Sequence, residues 1–423
     1  MNINEIKANI SAGKYDKDFS MLYGDIPSAR ERYTKACDSF ENLFPSHSEI
    51  RLFSAPGRTE VGGNHTDHQH GSVLAGGVNL DVIAVVAKND SGIIRIKSEG
   101  YDMDSVSVDN LEKNPNEEGK AISLIRGICS SFSQRGVKLS GFDAYTTSNV
   151  LKGSGLSSSA AFEVLVATII NGLFAQGKVS PEDIAKMGQY AENVYFGKPS
   201  GLLDQMASSL GGFTFADFHN PKEPVTEKIN LDISNFGYSL CVVDTGGNHA
   251  NLTDDYADIT VECRKISNEL GVDFLRDADE EKFYENIASL REKCGDRSVL
   301  RAIHFFNEQK RVYKQKSALE SGNFEEFLQL VNESGQSSYD LLQNLYSTSA
   351  VSEQGLPVAL ALTKQYLSDR GACRVHGGGF AGTIQCYIPS FMLDGYKKMI
   401  EKVFGKNSCM PISIRPVGGY EIA

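Results

Sequence analysis

The chain is predicted to fold as a mixed α+β protein. Strand-like and helix-like runs both occur and alternate irregularly, which speaks against a repeated βαβ architecture. Its 423 residues exceed the roughly 250–300 that one hydrophobic core usually holds, so two or more packed units are expected. Hydrophobic residues make up 41% and charged residues 23%, a globular balance that does not favour disorder.

The elements follow in order. Residues 1–48 form a leader of helical pieces ending near Pro45. Residues 82–87 and 93–96 are strand-like, and 142–148 alternates Phe142, Ala144 and Thr146 with partners of opposite facing. Residues 155–177 form a long apolar helix entered through a Gly/Ser loop. Ser180 and Pro181 supply an N-cap and a first-turn proline for a helix running to about Phe196, where Gly197 stops it. Strands are expected at 214–218 and 238–243. Between 251 and 270 the apolar positions Tyr256, Ile259, Cys263, Ile266 and Leu270 step by three and four, which predicts an amphipathic helix. Further helices are expected within 297–348, one of them around 324–331, and a strand at 383–388 follows a glycine run. On this reading a border between units falls near residues 210–225, after the leader 1–48.

Composition narrows the function classes. The net charge of -12 argues against nonspecific binding to nucleic acid or an anionic membrane. The polar opening predicts no signal peptide or anchor, and no stretch approaches the ~18 apolar residues of a membrane span. The eight cysteines are scattered without a C-x-x-C pair, which fits reduced thiols in a cytoplasm better than a disulfide framework or a zinc site.

Three segments carry chemistry. The first runs from Pro56-Gly57-Arg58 through Asn64-His65-Thr66-Asp67-His68-Gln69-His70-Gly71, where Asn, His and Asp are suited to fixing sugar hydroxyls. A hydrated surface loop is the plainer reading, and metal binding by His65, Asp67, His68 and His70 is the least favoured. The second is Gly153-Ser154-Gly155-Leu156-Ser157-Ser158-Ser159-Ala160, running into the apolar helix. Glycines allow close backbone approach, and N–H groups at a helix start suit a phosphate. It lacks the Gly-Lys-[Ser/Thr] of a Walker loop, so any nucleotide site here has another architecture. The third is His376-Gly377-Gly378-Gly379-Phe380-Ala381-Gly382, a formal G-x-G-x-x-G match. A strand follows it where a dinucleotide fingerprint would open a helix, so it is a tight turn or a loop closing on a ligand. Asp204 and Glu192, taken alone, are as easily a helix cap and a solvated surface residue.

In their order and spacing these segments resemble the GHMP kinase superfamily, and within it the galactokinases, from about Phe53 to Ile388. The resemblance implies two lobes built from mixed sheets and packed helices, 49–212 and 213–423, with the active site in the cleft between them. It implies ATP-dependent phosphorylation of the C1 hydroxyl of a galactose-like sugar, with Mg²⁺. Position by position, Asp204 matches the catalytic base and Arg58 the arginine beside it. Ser159 and Glu192 match the Mg²⁺ ligands. Asn64, His65, Asp67, Gly201 and Tyr256 match sugar-contacting positions. Gly153, Ser154, Gly155, Leu156, Ser157, Ser158, Ser159 and Ala160 match the ATP phosphate loop.

The sequence also departs from the family pattern. Asn64 stands where the signature has the glutamate that meets the sugar's C6 hydroxyl, Glu60 replaces its asparagine, and His68 its tyrosine. Gly62 replaces a large apolar residue, and Leu151-Lys152 stands where a proline is usual. A neutral amide at position 64 leaves galacturonate, L-arabinose and N-acetylgalactosamine open beside galactose. A non-catalytic galactose- and ATP-binding sensor is the rival from another class; the retained Ser157-Ser158-Ser159-Ala160 run and Asp204 favour an enzyme.

Overall fold

The computed structural model describes residues 1–45, 47–150, 155–247 and 252–423, with the side chain of Thr253 left aside. Among the described residues the strands are β1 (Ile50–Gly62), β2 (Ser72–Asn89), β3 (Ile93–Ser98), β4 (Met103–Ser107), β5 (Gly141–Ser148), β6 (Phe213–Asp217), β7 (Val225–Ile229), β8 (Tyr238–Asp244), β9 (Ala372–His376), β10 (Thr383–Pro389), β11 (Cys409–Ile412) and β12 (Tyr420–Glu421). They form two sheets. The larger has the order β12-β1-β2-β5-β3-β4, with β6 on β2 and β7 on β6. Its pairings are antiparallel except β3 with β5. The smaller is antiparallel throughout, in the order β11-β8-β10-β9.

The centre of the large sheet is covered on both faces, and side-chain alternation shows why. In β1 and β2, Phe53, Val82, Ala84 and Val86 face one core, packed with Ile128, Leu165 and Ile169 of the helices Ala121–Gln134 and Ser158–Phe174. Leu52, Ile83 and Val85 face the other, against Ile6, Phe19, Tyr33 and Phe40 of the leader helices Ile3–Ser11, Asp16–Tyr23 and Ile26–Leu43. A strand buried on both faces is apolar at every position, which is why 82–87 is an unbroken apolar run. Each large apolar side chain buried this way contributes about 1.5–3 kcal/mol.

The leader also carries polar anchors. Arg32 grips the Asp81 carboxylate and donates to the Asp81 and Thr147 carbonyls at 3.0 and 3.2 Å. Asp81 further accepts from Tyr23 at 2.6 Å and from Arg415 at 3.2 Å.

The small sheet packs under the helices Gly355–Leu367 and Leu393–Phe404 and docks onto the far end of β1. There Arg374 of β9 donates to the Glu60 carboxylate at 2.7 Å and to the Val61 carbonyl at 2.8 Å. Gln385 of β10 donates to Thr59 at 2.6 Å and to the Glu60 carbonyl at 2.9 Å.

β6 and β7 extend the large sheet through β2. One expectation changes. The helix expected to continue to Phe196 is α-helical over Pro181–Tyr190 and widens to a π-turn over Ala191–Phe196. Its Ser180 cap is as expected, accepting from the Asp183 amide at 3.2 Å, and Gly197 ends it at φ +87°. No helix among the described residues is long and apolar enough to cross a membrane.

Candidate active site

The site forms where the bulged end of β1 meets two helix starts. Register shifts flank Arg58, between Pro56 and Arg58 and between Glu60 and Gly62, and such bulges re-aim side chains. The Arg58 amide donates to the Leu156 carbonyl at 2.9 Å, and its guanidinium donates to the Gly155 carbonyl. Gly57 permits this approach, because a Cβ there would lie 2.7 Å from the Leu156 carbonyl oxygen.

The Arg58 Nε also meets Asp204 Oδ1 at 2.6 Å. Asp204 lies in the first turn of the helix Leu203–Leu210, and its other oxygen accepts from the Ser157 hydroxyl. Burial pushes the Asp204 carboxyl up, but Arg58 and the Ser157 hydroxyl, helped by the charge of Lys198, hold it below the usual carboxylate value. It is therefore ionised at neutral pH. Its side chain is still 34% exposed, so a ligand can reach it.

Ser157 holds a left-handed conformation at φ 56° just ahead of the helix Ser158–Phe174. Its hydroxyl goes to Asp204 and does not cap the helix, so among the described residues no side chain caps the first amides. Backbone N–H groups left so are suited to an anion. Leu156 is buried and takes part through its carbonyl, and Ala160 is buried in the helix. Gly153 and Ser154 lie outside the described residues, as do Leu151 and Lys152.

Behind the loop is an acidic pocket. The Ser159 hydroxyl and Glu192 Oε1 lie 3.5 Å apart. Gln205 Nε2 donates to both Glu192 Oε2 and Glu163 Oε2 at 2.9 Å. Glu163 Oε1 and Gln205 Oε1 are buried without a hydrogen-bond partner among the described residues. Burial and the neighbouring Glu192 push the Glu163 carboxyl up. A hydroxyl beside a carboxylate, in a pocket with excess acceptor oxygens, is a donor set suited to a hard divalent cation.

The sugar-signature segment folds against the glycine loop. His65, at φ 59°, places Nε2 2.9 Å from the Gly378 carbonyl. A carbonyl accepts only, so Nε2 carries the hydrogen and Nδ1 is left as an acceptor. Burial, with His68 beside it, brings the His65 pKa down to about 3. Asp67 opens a short 3-10 turn, and its carboxylate has no hydrogen-bond partner among the described residues. Gly201 makes room for it, since a Cβ there would run into Asp67 Oδ2. Tyr256, on the helix Thr253–Glu269, donates to the Gly379 carbonyl at 2.9 Å and packs against Gly378.

Asn64 is placed differently from the expectation of a sugar contact. It is fully buried. Its Nδ2 donates to Glu60 and to the Gly377 carbonyl at 2.9 and 2.8 Å, and its Oδ1 accepts from Asn344 at 2.8 Å and Ser338 at 3.3 Å. An amide with two donors and one acceptor oxygen has no capacity left after that.

The sequence reading assigns no role to Lys198, Gln205 or Arg374. Lys198 and Gln205 lie close in the chain to Glu192 and Asp204, whereas Arg374 is recruited from a distant strand.

A model of the galactokinase galactose-binding signature matches residues 38–88, and one of the GHMP kinases N terminal domain matches 123–212. A galactokinase of Streptomyces coelicolor is 31% identical over 369 residues, covering 87% of this chain and 92% of that protein. The chain belongs to the galactokinase family. A second family member, from Glaesserella parasuis, is 28% identical over 375 residues and is 93% covered. The fold agrees with that of Lactococcus lactis galactokinase complexed with galactose, at TM-score 0.77 and 21% identity over 90% of this chain and 98% of that one. Methanococcus jannaschii mevalonate kinase shares it more distantly, at TM-score 0.62 and 15% identity over 88% and 99%. As in those GHMP kinases, the family architecture is α+β with helices packed on mixed sheets.

Proposed function

We propose that this chain transfers the γ-phosphoryl group of ATP to the anomeric hydroxyl of a galactose-like sugar, giving the sugar 1-phosphate and ADP. The observation that carries this reading is the Asp204 carboxylate. It is ionised, partly open and clamped by Arg58 and Ser157 between the sugar-signature segment and the phosphate loop.

A sugar hydroxyl is a weak acid, and a positioned carboxylate that takes its proton gives about 10²–10⁴ in rate. Arg58 keeps that carboxylate charged and, one bond away, offers positive charge to the transferring phosphoryl group. The amides at the start of the helix Ser158–Phe174, uncapped by a side chain among the described residues, receive the nucleotide phosphates, continuing the loop 153–160. His65 Nδ1 and the Asp67 carboxylate are acceptors for sugar hydroxyls, with Gly201 and Tyr256 shaping the same wall. Ser159 and Glu192 would hold Mg²⁺, which neutralises phosphate charge when bound.

Galactose is the first sugar to test. The exchange of a carboxylate for Asn64 does not by itself admit a C6 carboxylate, because the Asn64 side chain is turned into the core between the lobes. The test is sugar-dependent ADP release across galactose, galacturonate, L-arabinose, N-acetylgalactosamine and glucose, beside Asp204→Ala. Turnover on galactose lost in the variant is the expected result. Turnover confined to another sugar moves the substrate, and none with any sugar favours a galactose- and ATP-binding sensor. The cytoplasm is the compartment that fits eight unpaired cysteines.

A further inference from the structure

One cation already stands in the acidic pocket. Lys198 Nζ meets Glu192 Oε1 at 2.8 Å, the same oxygen that faces the Ser159 hydroxyl. The turn that ends the π-helical stretch places it there, since the Gly197 and Lys198 amides both donate to the Glu192 carbonyl, at 3.0 and 3.1 Å. The two partners differ in freedom: the Glu192 side chain is 4% exposed, the Lys198 side chain 57%.

The Glu192 carboxylate is buried, with the Gln205 amide joining it to Glu163, and burying a charge is costly without a cation. Lys198 supplies it. A divalent ion between Ser159 and Glu192 needs the oxygen that Lys198 holds, and two cations repel at such range. The lysine is the one that can leave, being a flexible side chain that is mostly exposed. Nucleotide phosphates arriving at the neighbouring helix start offer the ammonium new acceptors.

We infer that Lys198 is a built-in counter-ion of Glu192 that yields this carboxylate to the divalent ion when Mg-ATP binds and donates to the nucleotide's phosphate oxygens instead. This rests on the reading of Glu192 as a metal ligand, and the experiment separates the two.

Mn²⁺ binding to the full chain without nucleotide is measured by electron paramagnetic resonance, and binding of a non-hydrolysable ATP analogue with Mg²⁺ by calorimetry. Lys198→Met is expected to bind Mn²⁺ about tenfold more tightly, because a competitor is gone, and the analogue about tenfold more weakly, because a charged hydrogen bond is lost. Lys198→Arg is expected to stay near wild type in both. Lys198→Gln serves if the methionine variant does not fold. Unchanged Mn²⁺ affinity, or unchanged affinity for the analogue, in the neutral variant overturns the proposal. Glu192→Gln is the control. If it binds Mn²⁺ as wild type does, the metal reading falls and the proposal with it. If it loses Mn²⁺ while Lys198→Met behaves as wild type, only the role of Lys198 falls.

Discussion

Arg58 and Asp204 are 146 positions apart in the chain and 2.6 Å apart at Nε and Oδ1. This pair sets the charge of the proposed base. Asp204→Asn is expected to lower kcat by about 10²–10⁴ with sugar binding retained, read by steady-state kinetics and sugar calorimetry.

Arg58→Met should act on the same group through its pKa. In the wild type the depressed Asp204 carboxyl keeps the base ionised well into the acid range. Without the guanidinium, burial pushes the carboxyl up, so the acid limb of the kcat/KM profile should move to higher pH. A limb that stays in place in a folded, less active variant argues that Arg58 does not control the base.

Asn64→Ala removes an amide whose partners are Glu60, Gly377, Asn344 and Ser338. Leaving buried groups unpaired costs about 1–3 kcal/mol each, so a clear drop in the denaturation midpoint is expected. Preference among galactose, galacturonate and L-arabinose should hardly move. A changed ranking of sugars with little loss of stability would return Asn64 to the sugar site.

Stability should fall with acid in two stages. Burial holds His65, His304 and His376 below the ordinary histidine value of 6.5, His65 at about 3. Their folded pKa lies under the unfolded one, so below 6.5 the unfolded chain takes up more protons and stability declines as pH drops. Glu308 adds a second stage. Burial alone would raise its carboxyl, but Arg311 and neighbouring cations bring it to about 2. Its contribution is present above 4.5 and is lost as pH falls towards 2. Urea midpoints at decreasing pH test this; equal midpoints at pH about 7.5 and 5.5 contradict the histidine stage.

Arg32→Met tests whether the leader is part of the fold. It takes one of two arginines from the buried Asp81 carboxylate, at an expected cost of about 3 kcal/mol, read by thermal or urea denaturation. An unchanged midpoint would make the leader an accessory layer.

Local signals were legible in the chain. The Ser180-Pro181 helix start and the strands at 142–148 and 383–388 come from short-range chemistry, and the structure places them within a residue or two. The Arg58, Ser157 and Asp204 grouping was reachable only through the family pattern, because no periodicity links residues so far apart. What stayed hidden depends on tertiary approach. Lys198 is an ordinary turn lysine until the π-turn carries it to Glu192, and Asn64 looks exposed among polar neighbours until the glycine loop, Ser338 and Asn344 close over it. The pairing of β6 with β2, which lies far earlier in the chain, has no local mark either.

The Glu60–Arg374 ion pair has its arginine fully buried, and the Asn64, His376 and Gln385 contacts flank it across the two sheets. Pulling the lobes apart would strip partners from several desolvated polar groups at once. Traffic of sugar and nucleotide therefore falls to short loops at the rim, and the molecule's radius of gyration should be nearly the same with and without its ligands.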